Sequence, residues 1–199
     1  MKPVAPNVMD PEPANFDADC RQRGRTWLLK NPKAARKVKR PKDFWSPFRP
    51  ELADRFANLC AYGAMHEPAG TVDHFTSVDA DETQAYEWSN YRFTSAWINS
   101  SKNKGAAVLD PFEVQAGWFE VLLPSLQLVA RKDRIPLALH ALAEQTLEKL
   151  HLRDDERIIR QRRQWLRMYE EGKLDLRGLR ELAPLIADAV EAGLPQAVT

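Results

Sequence analysis

Residues 70–105 read GTVDHFTSVDADETQAYEWSNYRFTSAWINSSKNKG. An Asp-His pair, Asp73 and His74, is followed sixteen residues on by Asn90, nine further by Asn99, and then by Lys102 and Lys104. Nowhere else does the chain bring a general base, oxygen ligands and cationic side chains so close together. Asp73 is a hard oxygen ligand suited to Mg²⁺ or Mn²⁺. His74 is the one of four histidines set beside a carboxylate inside such a block, and a neutral imidazole can take a proton from water near pH 7. These are the parts that metal-assisted phosphodiester hydrolysis requires.

The local pattern around them is strand, loop, strand, helix. Thr71 to Phe75 and Tyr91 to Thr94 read as short strands, and the polar, acidic run from Thr76 to Glu87 suits a loop. Thr94 or Ser95 is a candidate N-cap for a helix from about Ala96 to Lys104, with Gly105 as its stop. On that helix Asn99, Lys102 and Asn103 share a face, so one element can present a metal ligand and a phosphate-facing cation together. Adjacent residues on a regular strand point to opposite faces. Asp73 and His74 can therefore share a site only where the strand ends or twists.

Working outward, residues 1–20 carry Pro3, Pro6, Pro11 and Pro13 with few apolar side chains, and read as a flexible tail. Residues 21–50 form a basic arm: ten of the 29 Lys/Arg lie between Arg21 and Lys42, with no Asp or Glu among them. Such a block attracts phosphate backbones without reading sequence; its plainer interpretation is a solvated helix or linker. Pro50 can open a helix whose apolar face is Leu52, Phe56, Leu59 and Cys60. Residues 51–130 form the core, ending in a Leu- and Val-rich segment, Trp118 to Ala130, that suits either strands or a buried extended segment around Pro124. Residues 131–199 are helical, with apolar faces at Leu139–Leu150, Ile158–Tyr169 and Leu182–Val190. The second of these helices has an Arg-rich outer face (Arg157, Arg160, Arg162, Arg163, Arg167). Core packing accounts for this tail; a docking surface for a partner protein is the sharper alternative.

Composition narrows the classes. At 199 residues, 44% hydrophobic with six Trp, the chain can bury a substantial core. Two cysteines, Cys20 and Cys60, cannot form a disulfide framework or a four-thiolate zinc site. No apolar run has signal-peptide or transmembrane character, so the expected location is the cytoplasm, with no membrane partner.

The layout of residues 59–111 resembles the HNH endonuclease family, whose ββα-metal core has the same order of elements. Val-Asp-His-Phe (72–75) is similar to the family's first motif, in which the His is the general base and the preceding residue binds metal. Tyr-Glu-Trp-Ser-Asn (86–90) is similar to the middle motif, whose Asn stabilises the loop and helps orient the base. Ile-Asn-Ser-Ser-Lys (98–102) is similar to the third, whose His or Asn completes the metal site. The spacing of nine between Asn90 and Asn99 is similar to that in the HNH domain of RNA-guided nucleases. Many HNH proteins also carry two Cys-x-x-Cys pairs around a structural zinc. Here those positions hold Cys60, Gly63, Ser95 and Ile98, so three thiols are missing and no structural zinc is expected.

The resemblance implies an α+β fold, with a small ββα-metal core flanked by helices and a mostly helical C-terminal part. It implies a hydrolase in which His74 is the base, Asp73 and Asn99 hold one Mg²⁺ or Mn²⁺, Asn90 orients the base and Lys102 faces the phosphate. DNA is the expected substrate, with RNA as the alternative. Small stand-alone HNH proteins often serve restriction or phage defence, and some defence systems pair such a subunit with an ATPase. The helical C-terminal region is then the candidate docking element. The competing reading is a degenerate HNH scaffold that binds nucleic acid or a partner without cutting.

Overall fold

Seven α-helices and two small antiparallel strand pairs make the chain α+β among its described residues. The structure is a computed structural model that describes residues 1–4, 6–38, 40–102 and 107–193. In chain order the helices are α1 (Arg23–Lys30), α2 (Arg49–Arg55), α3 (Ala96–Ser101), α4 (His140–Lys149), α5 (Glu156–Glu170), α6 (Leu176–Leu182) and α7 (Pro184–Gly193). The strands are β1 (Thr71–His74), β2 (Tyr91–Thr94), β3 (Phe119–Val121) and β4 (Leu128–Ala130). No described helix is long and apolar enough to cross a membrane.

β1 and β2 pair with Val72 opposite Phe93, Asp73 opposite Arg92 and His74 opposite Tyr91. The period of two therefore sorts the side chains. Val72, His74, Tyr91 and Phe93 share one face, and Asp73 and Arg92 share the other. α3 follows β2 directly and packs back on β1, burying Ile98. Ser95 takes the extended N-cap conformation without a side-chain cap bond; its hydroxyl turns instead toward the Cys60 thiol. The expected end of this helix lies partly outside the described residues, which exclude Asn103, Lys104 and Gly105.

α2 opens with Pro50 in its first turn and buries Leu52, as its sequence suggests. It stops at Arg55 rather than continuing toward Cys60, because Ala57 and Asn58 take left-handed backbone with φ of 51° and 55°. Residues 59–66 then form a tight turn in which Leu59 bridges His66 and the Ala61 amide donates to the Phe93 carbonyl at 2.8 Å. That turn docks on the edge of β2.

Residues 1–20 are not a flexible tail. Met1, Met9, Phe16 and Cys20 are buried, and the Phe16 ring packs edge-on against Phe48, Trp88 and Tyr91 at 4.9, 5.2 and 5.8 Å. A few large side chains, too sparse to give a period, anchor the segment, each contributing about 1.5–3 kcal/mol by burial. The basic arm is likewise folded in. Arg21 pairs with Glu12, Asp17 and Glu87, Arg25 with Glu87, and Arg36 with Glu82. Gly24 lets α1 approach the 82–86 turn: a Cβ there would stand 2.2 Å from the Tyr86 ring. The acids that compensate the basic block come from the N-terminal segment, Glu12 and Asp17, and from the loop between β1 and β2, Glu82 and Glu87.

At the end of the 51–130 core, β3 and β4 form an antiparallel pair around Pro124, the first of the two readings of that segment. The last apolar face is two helices, since α6 ends at Leu182 and α7 begins at Pro184. Arg162 does not belong to the exposed Arg-rich face of α5. It is 1% exposed and donates to the carbonyls of Leu126, Leu152 and Arg153 at 2.8, 2.7 and 3.1 Å. Burial pushes its pKa down to about 10.

Candidate active site

A cleft of about 640 Å³ opens where β1 ends, lined by Asp73, His74, Asn99 and Lys102 together with Arg40 and Ser77. Because β1 stops at His74, the last two strand residues reach the same cleft from opposite faces.

His74 is held on three sides. Its ring meets Trp45 edge-on at 4.6 Å and Tyr91 at 5.1 Å, and Nε2 lies 2.9 Å from the Ala85 carbonyl. A carbonyl oxygen only accepts, so Nε2 carries the proton in the neutral ring and Nδ1 keeps the lone pair. The same carbonyl accepts from the Tyr91 hydroxyl at 2.9 Å, which fixes it from a second direction. Burial is the main force that pushes the His74 pKa down to about 4, so the ring is neutral at pH 7. This folded value lies below the ordinary 6.5, so the unfolded chain takes up the proton first as pH falls. The stability that His74 contributes is present above pH 6.5 and is lost as pH drops toward about 4. Urea unfolding of wild type and His74→Gln across this range checks it: the gap between the two should narrow toward low pH. A gap that widens would contradict the assignment of a buried neutral ring.

Asn90 acts through the backbone that holds His74. Its Oδ1 accepts from the Thr76 amide at 2.7 Å, and its Nδ2 donates to the Thr76 and Gln84 carbonyls at 3.1 and 3.0 Å. It thus ties the chain leaving β1 to the turn whose Ala85 carbonyl orients the imidazole. Asn90→Ala strands these largely buried groups and should destabilise the chain by about 1–3 kcal/mol, read as a lower urea midpoint; an unchanged midpoint would remove Asn90 from this role.

Asp73 and Lys102 are joined directly. The Lys102 ammonium lies 2.8 and 3.1 Å from the two Asp73 oxygens and 3.0 and 2.9 Å from the His74 and Phe75 carbonyls. Tyr62 completes the carboxylate's surroundings, its hydroxyl donating to Asp73 Oδ2 at 2.9 Å. Burial lowers the Lys102 pKa, and Asp73 opposes that shift. The expectation that Lys102 faces a phosphate is therefore not what the structure shows; its ammonium is turned inward onto Asp73. Asn99 donates through Nδ2 to the Val72 carbonyl at 3.3 Å, which leaves Oδ1 as its acceptor atom beside Asp73's strand.

The donor set suits a hard divalent cation. Mg²⁺ and its analogues are commonly held by one or two carboxylates, with water filling the other positions; here Asp73 would be the single carboxylate and Asn99 Oδ1 a neutral oxygen ligand on the same cleft. The Lys102 ammonium, held by both Asp73 oxygens, already occupies the carboxylate of this set. Among the described residues no cluster of three or more His, Cys, Asp or Glu that could hold a metal gathers, at this cleft or elsewhere.

Sequence reasoning missed Tyr62, Arg40 and the Arg92–Asp110 pair. Arg92 Nε donates to Asp110 Oδ1 at 2.8 Å, and its guanidinium lies 3.8 Å from the centre of the Phe112 ring, which pins residues 110–112 across β2. An arginine between two inward aromatics, Tyr91 and Phe93, was the available signal for the pair. Arg40 comes from the basic arm and stacks over Trp45, 5.8 Å from the ring centre, one ring away from His74.

The positions that the HNH resemblance assigns to zinc thiolates converge. The Gly63 amide donates to Cys60 Sγ at 3.3 Å, Ser95 Oγ lies 4.0 Å from the same sulfur, and a Cβ on Gly63 would stand 3.5 Å from Ile98 Cδ1. Cys60 Sγ is in hydrogen-bond contact with the Thr94 hydroxyl at 3.2 Å. Comparison with known protein families, curated proteins and solved structures returned no match to this chain.

Proposed function

We propose that this chain is an HNH-type, metal-dependent endonuclease that hydrolyses DNA phosphodiesters with His74 as general base. The observation that carries the reading is the His74 ring, fixed by the Ala85 carbonyl with Nδ1 unprotonated, on one cleft with Asp73 and Asn99. The convergence of positions 60, 63, 95 and 98, in the order β1, β2, α3, supports the same assignment.

In this reading Nδ1 of His74 takes the proton from the attacking water, while Nε2–H stays on the Ala85 carbonyl. A resting pKa of about 4 keeps the base unprotonated, and a phosphate's negative charge in the cleft raises its proton affinity in the complex. Asp73 and Asn99 would hold one Mg²⁺ or Mn²⁺, which supplies charge stabilisation at the scissile phosphate and its leaving oxygen. Arg40 supplies a cationic side chain at the cleft wall. Asn90 keeps the base in place through Gln84 and Thr76.

One observation favours a second reading, a scaffold that binds without cutting: the Asp73 charge is already neutralised by Lys102. Labelled DNA duplex and RNA of matched sequence, incubated with Mg²⁺ or Mn²⁺, separate the two. The nuclease reading expects DNA products with 5′-phosphate and 3′-hydroxyl ends. Binding without cleavage under either metal supports the scaffold, and cleavage of RNA alone reassigns the substrate. Arg40→Ala should weaken binding of duplex DNA and lower the slope of log K against log salt by about one. An unchanged slope would make Arg40 a bystander.

A further inference from the structure

The least expected feature of the cleft is that the side chain cast as phosphate-facing is tied to the side chain cast as metal-binding. The Lys102 ammonium sits among four oxygens, Asp73 Oδ1 and Oδ2 and the carbonyls of His74 and Phe75, at 2.8 to 3.1 Å. Lys102 and Asp73 are 8% and 3% exposed. Among the described residues Asp73 is the one carboxylate touching this ammonium, and the nearby Arg92 and Asp110 pair with each other, so with Lys102 in place the group is neutral.

We propose that the Asp73 cradle is one cation site with two alternative occupants, the Lys102 ammonium and a divalent cation, exchanged when a substrate phosphate enters the cleft. The proposal rests on the metal-dependent nuclease reading and concerns how that site is loaded. Charge balance carries it. One buried carboxylate cannot hold an ammonium and a divalent cation in contact together, because their mutual repulsion is weakly screened there. A phosphodiester brings one negative charge. Carboxylate, divalent cation and phosphate then sum to neutrality, and Lys102 is released to the phosphate backbone at the cleft that both it and Asn99 line. Lys102 follows α3 immediately, so its side chain can swing while Asn99, a turn earlier on the helix, keeps its place. Metal and substrate binding are then coupled, and by reciprocity each strengthens the other. In the resting protein the lysine keeps metal out, which gives a nuclease a means of staying silent until nucleic acid is bound.

Mn²⁺ binding, followed by the loss of the free-ion signal in electron paramagnetic resonance, tests this without reading activity. Lys102→Met removes the competing charge and keeps the stem, so it should bind Mn²⁺ at least about tenfold more tightly than wild type, a difference of about 1.4 kcal/mol. Asp73→Asn should lose binding in both backgrounds. A second measurement does not depend on Lys102→Met folding. In His74→Ala, which is expected to cut at least about a hundredfold more slowly, a short DNA duplex should tighten Mn²⁺ binding by about tenfold or more. Equal Mn²⁺ affinity in wild type and Lys102→Met, or no effect of DNA on affinity, overturns the exchange and leaves the nuclease reading standing. Absence of Mn²⁺ binding in every protein, with DNA present, overturns the metal-dependent reading as well.

Discussion

His74→Ala is expected to reduce plasmid nicking by about 10²–10⁴-fold, the usual contribution of a positioned general base, while leaving DNA affinity close to that of wild type. The expectation follows from how the ring is held. Nε2 is committed to the Ala85 carbonyl, so Nδ1 is the atom left to accept a proton, and the ring stays neutral because burial holds its pKa at about 4. His74→Gln should fare little better, since an amide cannot take up the proton. At DNA concentrations well below saturation, where the free protein's titration is read, nicking by the wild type should remain level as pH falls through 6.5 and decline only as it approaches about 4. Nicking that survives His74→Ala would assign the base elsewhere.

Asp73→Ala is the substitution with the largest expected effect on stability. It leaves the Lys102 ammonium buried with only the His74 and Phe75 carbonyls for partners and removes the acceptor of the Tyr62 hydroxyl. Breaking one side of a buried ion pair costs about 3–5 kcal/mol, a large fraction of the stability of an ordinary domain. The urea midpoint should fall accordingly. Asp73→Ala combined with Lys102→Met should be less destabilised than the sum of the two, because the stranded charge is gone. Simple additivity would show that the pair is not coupled in solution.

The strands of the site were legible in the sequence because Thr71–Phe75 and Tyr91–Thr94 combine β-branched and aromatic residues between polar stretches, and the structure places β1 and β2 there within one residue. The start of α3 after Ser95 was legible too, and so was the tension between Asp73 and His74, which the end of β1 resolves. What was not legible depends on contacts between distant residues. Met1, Met9 and Phe16 give no period, yet all three are buried in the core, Phe16 against the rings of Phe48, Trp88 and Tyr91 far along the chain. The basic block from Arg21 to Lys42 has no acids within it and finds them at Glu12, Asp17, Glu82 and Glu87. Arg162 has the sequence context of a solvated helix face, and only the carbonyls of Leu126, Leu152 and Arg153 explain its burial. Lys102 was singled out as a phosphate-facing cation, but the spacing that puts it one turn beyond Asn99 cannot say that its ammonium turns toward Asp73.

The central claim is that the Asp73–His74–Asn99 cleft hydrolyses DNA. The most direct test is the conversion of supercoiled plasmid to open circles by the purified wild type, with Mn²⁺ and with EDTA, alongside Asn99→Ala. The account predicts nicking with Mn²⁺ that EDTA abolishes and Asn99→Ala lowers by at least about tenfold, the effect of losing one ligand or its support. Nicking that persists in EDTA, or that Asn99→Ala leaves unchanged, would contradict it.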